Sequence, residues 1–410
     1  MLYLIVGIIL FMYGVELFIS ILNYRNRHQP IPENVADIYD KEEYVRWLSY
    51  TMENTRFGLI SKSFNTILLI SFLIFGVFSI WIDWAVAIFP LSTLLQTLGF
   101  LFIYLVVTTL ISIPFSYYQT FKIEEKYGFN KSTKKTFALD QVKNLLMVTI
   151  LFGGIVSALN ALFIAFEDQL WLFIVGTWAV LVIFITVMFI LNTKVFVKVF
   201  NKLVPLPEGE LKDKIDQLAS SVGFEIKSIS VMDASKRSTK LNAFFSGLGK
   251  TREVVLFDTL LEKLSDDEVL SVLAHELGHA VHKDAPRMLF ERSLVFALYA
   301  ILFGFILSTP SLYQAFNIPV SHFGFGFVLL SVLMDPLNFL IGIPLNYLSR
   351  RAEYKADAYS AKLVDKKHMI GALRILVKEN FSNLNPHRLY EIVNYSHPKI
   401  SDRLSAIEIL

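Results

Sequence analysis

The chain has 410 residues, of which 54% are apolar and 18% charged, with 36 Phe, a net charge of +2 and no cysteine. Near-neutral charge removes the bulk basic character of a nucleic-acid binder, so no nucleic-acid partner is expected. The lack of cysteine excludes disulfides, thiol nucleophiles and thiolate ligands, so any bound metal must take nitrogen or oxygen.

In chain order, seven apolar runs fall at about 2–22, 64–82, 97–117, 145–165, 170–191, 293–309 and 323–345. Each approaches the ~20 residues that cross a bilayer. The first has no Lys or Arg ahead of it and no small-residue cleavage site behind it, so it reads as a retained span rather than a signal peptide. The connections at 83–96, 166–169 and 310–322 contain no Lys or Arg, whereas those at 23–63, 118–144, 192–286 and 346–410 are rich in them. Seven alternating spans put the four basic segments on one side, which the positive-inside rule makes the cytosol, with the N-terminus outside. The expected organisation is then spans one to five in 1–191, with cytosolic loops 23–63 and 118–144. A catalytic lobe follows in 192–286, then spans six and seven in 287–345, and 346–410 completes the lobe.

Within the lobe, residues 240–246 and 252–257 flank Gly247-Leu248-Gly249, a hairpin pattern. Its strand is either an edge that binds an extended peptide by strand addition or an ordinary buried hairpin. Next, Ser265-Asp266-Asp267-Glu268 has the form of a capping box and predicts a helix from about Ser265 to Lys283, with Pro286 beyond its end. The helix carries LAHELGHAVHKD, in which His275 and His279 stand four apart and leave one face together. That spacing suits two ligands of a tetrahedral zinc, with Glu276 beside them to polarise water. His282 shares the face but lies roughly 10 Å along the axis from His275, too far for the same ion. A third ligand must come from elsewhere, and SRRAEYKADAYS, from Ser349 to Ser360, offers Glu353. Asp357, one turn on, can accept the free ring N–H of a metal-bound histidine.

Four more stretches accompany HELGH and EYKAD: KIEEKYGFNKST from Lys122, PLPEGEL from Pro205, LNAFFSGLGKTREVVLFDTLL from Leu241 and YSHPKISDRL from Tyr395. In this order, among seven spans, the chain resembles the type I CAAX prenyl endopeptidase family of integral-membrane zinc metalloproteases over nearly its whole length. The resemblance implies a mainly α, polytopic fold, with seven helices forming an α-barrel around a water-filled chamber and a zincin-like lobe containing a small β-hairpin or sheet. Glu16, Asn65, Asn160, Asp335 and Asn338, costly against lipid, would either line that chamber or pair between helices. It also implies one zinc ion held by His275, His279 and Glu353, with Asp357 behind them and Glu276 as general base. Asn242 and Ala243 would contact the substrate backbone, His397 would support the substrate carbonyl oxygen, and Arg403 would stand near it on the substrate side. Two departures leave substrate preference open: Pro398-Lys399 replaces the usual Pro-Pro, and Asp402-Arg403 the usual Glu-Arg.

The expected function is therefore integral-membrane zinc endopeptidase, acting at the C-termini of prenylated or other peptides and working as a monomer. Its setting would be a bacterial inner membrane or an ER-type membrane, with the catalytic lobe cytosolic. One alternative keeps the chemistry but assigns quality control of membrane proteins, as in HtpX-type proteases. Another is a transporter or scaffold without catalysis, against which intact HELGH and EYKAD argue.

Overall fold

The structure is a computed structural model that describes residues 1–224, 226–246 and 253–410. In a bilayer each backbone polar group must find its partner within the protein, and long apolar runs meet that demand as helices. The first membrane half comprises α1 Leu2–Arg25, α2 Lys41–Ile74, α3 Val77–Ile88, α4 Thr93–Tyr118, α5 Lys134–Ala165 and α6 Leu170–Leu191. A π-helical turn at Gln119–Glu124 prolongs α4, and another at Asn192–Val197 carries α6 into α7, Lys198–Phe200. Seven helices are long and apolar enough to span a membrane.

Their ends differ from the apolar windows. The run expected at 64–82 is not one span but two helices: α2 starts far upstream at Lys41, and α3 begins after Gly76. Asp40 and Glu43 form a capping box that opens α2 in the polar loop. Gly76, at φ 66°, ends it in a left-handed conformation that costs little only without a Cβ. Hydropathy locates where the bilayer falls on a helix, whereas caps and turns decide where the helix stops.

The lobe follows with β1 Leu203–Pro205, α8 Glu210–Ser221, β2 Ser228–Met232, β3 Ala243–Ser246, β4 Glu253–Phe257, α9 Asp258–Lys263 and α10 Asp266–Val281. The strands form one sheet in the order β1-β2-β4-β3, antiparallel except for β2 with β4. The expected hairpin is β3–β4, with Ala243 opposite Leu256; its Gly247-Leu248-Gly249 turn lies outside the described residues. Val254, Leu256, Leu260, Val269 and Leu273 bury the junction between sheet and helices. Ser265 and Glu268 form the expected capping box of α10.

The chain returns to the membrane through α11 Asp284–Leu307, α12 Pro310–Gln314 and α13 Phe323–Leu363. It ends in α14 Lys366–Glu379, α15 Arg388–Asn394 and α16 Ile400–Glu408. With 41 residues, α13 is about 60 Å long at 1.5 Å per residue, twice the hydrocarbon thickness of a bilayer. It therefore carries both the last span and the Glu353–Asp357 turn, and the expected division between 345 and 346 falls in its interior.

A cavity of about 910 Å³ opens among α1, α2, α4 and α13. Glu16, Lys62, Asn65 and Asp335 line it, with Glu16 ion-paired to Lys62. Asn338 instead accepts a 2.8 Å hydrogen bond from Tyr299 beside a more apolar cavity of about 470 Å³, and Asn160 is buried in α5. Four of the five polar residues thus line cavities, and Asn160 packs inside the bundle.

α10 lies against the C-terminal half of α13, around Ala356 and Ser360. A Cβ built on Gly278 would stand 3.0 Å from Ala356 Cα, so glycine sets this approach. Nearby, the buried Ser360 hydroxyl donates to the Ser271 carbonyl at 2.6 Å. Gly278→Val should force the helices apart and cost about 1–3 kcal/mol, seen as a lower unfolding temperature of the protein in detergent. Gly342→Ala, on a side of α13 with nothing within 4 Å, should leave that temperature unchanged or raise it.

Candidate metal centre

α10 contributes His275, Glu276 and His279, and α13 contributes Glu353 and Asp357. The crossing of the two helices brings the donors together. His275 Nε2 lies 3.2 Å from His279 Nε2 and 3.5 Å from Glu353 Oε2, and His279 Nε2 lies 3.3 Å from Glu353 Oε1. Ligands of a tetrahedral ion with bonds of ~2.0–2.1 Å sit about 3.3–3.4 Å apart by trigonometry. Among the described residues, His275, His279 and Glu353 are the one His/Cys/Asp/Glu group able to hold a metal.

The second nitrogen of each ring explains the orientation. His275 Nδ1 is 2.8 Å from Asp357 Oδ1, and His279 Nδ1 is 2.8 Å from Asp284 Oδ2. Each Asp is held in turn by an arginine. Arg403 reaches Asp357 through two bonds of 2.8 and 2.6 Å, and Arg287 lies 3.2 Å from Asp284. With each Nδ1 set 2.8 Å from an aspartate oxygen, both Nε2 atoms turn inward toward Glu353, where their lone pairs repel unless a positive charge sits among them. Burial disfavours a proton on His275, yet Asp357 and Glu353 outweigh it and push the imidazole up to about 9. Glu353 Oε2 is buried without a well-directed hydrogen bond. The donor set therefore fits a cation of two or more charges.

Glu276 follows His275 directly and is half-buried. Burial raises its pKa above the ordinary carboxylate value, against the opposing pull of the two histidines. His397 sits in the loop between α15 and α16, exposed, with Nδ1 2.8 Å from Glu353 Oε2. Arg403 lines a groove beside the centre, with its side chain 12% exposed and two of its nitrogens bonded to Asp357. His282 stands apart from the group as the cap of α10, its ring edge-on to Tyr359.

Asn242 is exposed at the start of β3, the sheet's edge among the described residues. Ala243 buries its methyl in the lobe core and leaves only backbone to a peptide. Both are positioned by a residue the sequence did not mark. Asn380, which caps α14, accepts from Leu241 N–H at 2.8 Å and donates to Leu241 C=O at 3.0 Å. The His397 loop has similar supports in α13, where Asn346 donates to the Val393 carbonyl and Arg350 to that of Tyr395, both at 2.6 Å. Asp284 was also missed. It sits five residues past His279, and only the left-handed Lys283, at φ 58°, turns it back toward the ring.

Known proteins are similar to this chain over nearly its whole length. Residues 20–202 match the family described as CAAX prenyl protease N-terminal, five membrane helices, and residues 205–410 match peptidase family M48. CAAX prenyl protease 1 of Saccharomyces cerevisiae is 34% identical over 95% of this chain and 92% of its own length. The CAAX prenyl protease 1 homolog of Arabidopsis thaliana is 31% identical over 98% and 96%. The crystal structure of S. mikatae Ste24p superposes with a TM-score of 0.91 at 32% identity, covering 99% of this chain and 98% of that one. With two histidines and a distant carboxylate able to share a metal beside seven membrane-length helices, and with similarity over nearly the full length, the chain belongs to the CAAX prenyl protease 1 family of multi-pass membrane metallopeptidases in family M48.

Proposed function

We propose that the chain is a zinc endopeptidase with Glu276 as general base, working as a monomer on the cytosolic face and trimming C-terminal peptides, prenylated ones included. One observation carries this reading: three nitrogen and oxygen donors converge at 3.2–3.5 Å. His275, His279 and Glu353 would hold the ion, which when bound supplies a Lewis acid that acidifies water and polarises the scissile carbonyl.

The remaining steps belong to the chain's own side chains. Glu276 takes a proton from the attacking water and delivers it to the departing amine, a task helped by the upward pull of burial on its carboxyl. Asp357 and Asp284 fix the ring tautomers, and Arg403 and Arg287 fix those aspartates. Arg403 is thus a positioning residue rather than a substrate ligand. His397 touches Glu353 through Nδ1, and with both ring nitrogens protonated its Nε2–H would donate to the developing oxyanion. Asn242 and the backbone of Ala243 offer an edge to which an extended peptide adds. The Lys/Arg-rich connections support a cytosolic lobe.

Glu276→Gln should retain the metal by elemental analysis while cleavage falls by about 10²–10⁴-fold; a variant with wild-type turnover would remove Glu276 from the base role. His275→Ala and Glu353→Ala should emerge from purification without stoichiometric zinc. Arg403→Met should weaken zinc binding about 10–100-fold in chelator competition, whereas direct substrate binding would leave zinc affinity untouched and raise KM alone. Matched prenylated and unprenylated peptides, cut with and without chelator, test the substrate. Faster chelator-sensitive cleavage of the prenylated peptide near its C-terminus is expected, and indifference to the lipid with scattered cuts would favour general quality control.

A further inference from the structure

Beside the metal centre lies a groove of about 480 Å³. Asn242 and His397 border it near Glu353, while Asn380, Asn383 and Lys399 line it further along. Its charged lining among the described residues is Arg403 and Lys399, with no carboxylate. The charge of Arg403 is committed to Asp357 and, at 3.6 Å, to Glu353. Lys399 is differently placed. The Glu391 carboxylate accepts from its backbone N–H at 3.4 Å, but its ammonium is ion-paired, among the described residues, with Asp402 alone, at 3.4 Å, and the Asp402 side chain is 47% exposed. Such a pair is long, screened and weak. Lys399 also precedes the first turn of α16, so the positive end of that helix adds to its potential.

We propose that Lys399 makes this groove a subsite for a carboxylate of the substrate peptide. The inference rests on the peptidase reading and narrows its substrate class. Two residues of chain separate Lys399 from His397, at most about 7 Å of backbone. The carboxylate it meets therefore lies within a few residues of the scissile bond, as the free C-terminus of a short departing segment or as an Asp or Glu side chain. Both sources present the same anion to the same ammonium.

The test uses full-length, zinc-loaded protein in liposomes and three fluorescent peptides of one sequence: one ending in a free carboxylate, one in a carboxamide, and one amidated with an Asp near its end. Affinities are read by anisotropy in a Glu276→Gln background, so that binding is measured without turnover, and cleavage is read separately on the parent. The parent should favour at least one anionic peptide over the neutral one by about tenfold, the size of one charge-assisted hydrogen bond, and the peptide preferred identifies the carboxylate's source. Lys399→Met should bring that ratio near one, and Lys399→Arg should keep it. No preference in the parent, or an undiminished one in Lys399→Met, overturns the subsite. Metal content and unfolding temperature check each variant. Should Lys399→Met fail them, the parent decides through salt, because a preference unmoved between about 50 mM and about 500 mM salt, over which the Debye length shrinks from roughly 14 Å to roughly 4 Å, also overturns it. Failure of the peptidase reading looks different: no cleavage of any peptide by the parent, whatever the binding ratios.

Discussion

Two imidazole nitrogens and a carboxylate held within 3.5 Å of one another form a concentration of lone pairs that the fold must enforce against its own repulsion. The enforcement begins at the crossing of α10 with α13, where Gly278 admits the Ala356 backbone and Ser360 bonds to the Ser271 carbonyl. Two relays then lock the rings from outside, Arg403–Asp357–His275 and Arg287–Asp284–His279. The arginines come from α16 and α11, so four helices converge on one centre. Such a site stays ready for a cation, because each acid that orients a ring also raises the attraction for positive charge there.

The same geometry reconciles hydrolytic chemistry with an apolar chain. α13 is one continuous helix whose apolar N-terminal part is a membrane run and whose C-terminal part carries Glu353. Polar groups at membrane depth are handled locally: Glu16 pairs with Lys62 at a cavity that Asn65 and Asp335 also line, and Tyr299 serves Asn338. A charged side chain is tolerated at that depth only with such partners or in a cavity.

Peptide-facing elements are braced as firmly as the ligands. Asn380 grips both backbone groups of Leu241 just before Asn242, and Arg350 and Asn346 of α13 hold the segment that presents His397. The groove between these braces contains an ammonium with little local compensation, and its charge gives the site a direction along a bound peptide.

Local signals made much of this legible from residues alone. The 3.6-residue period placed His275 and His279 on one face, the Ser265–Glu268 box marked where their helix begins, and apolar length identified the membrane runs, because each depends on neighbours within a few positions. SRRAEYKADAYS offered Glu353 from its own residues, and the resemblance added expected roles for Asn242 and His397. Tertiary structure alone decided that α2 ends at Gly76, that α13 runs unbroken from span to site, that Asp284 folds back onto His279, that Arg403 clamps Asp357, and that Asn380 holds Leu241. Those contacts join residues distant in the chain or turn on one backbone angle, and no short-range pattern encodes which distant partner will satisfy a buried polar group.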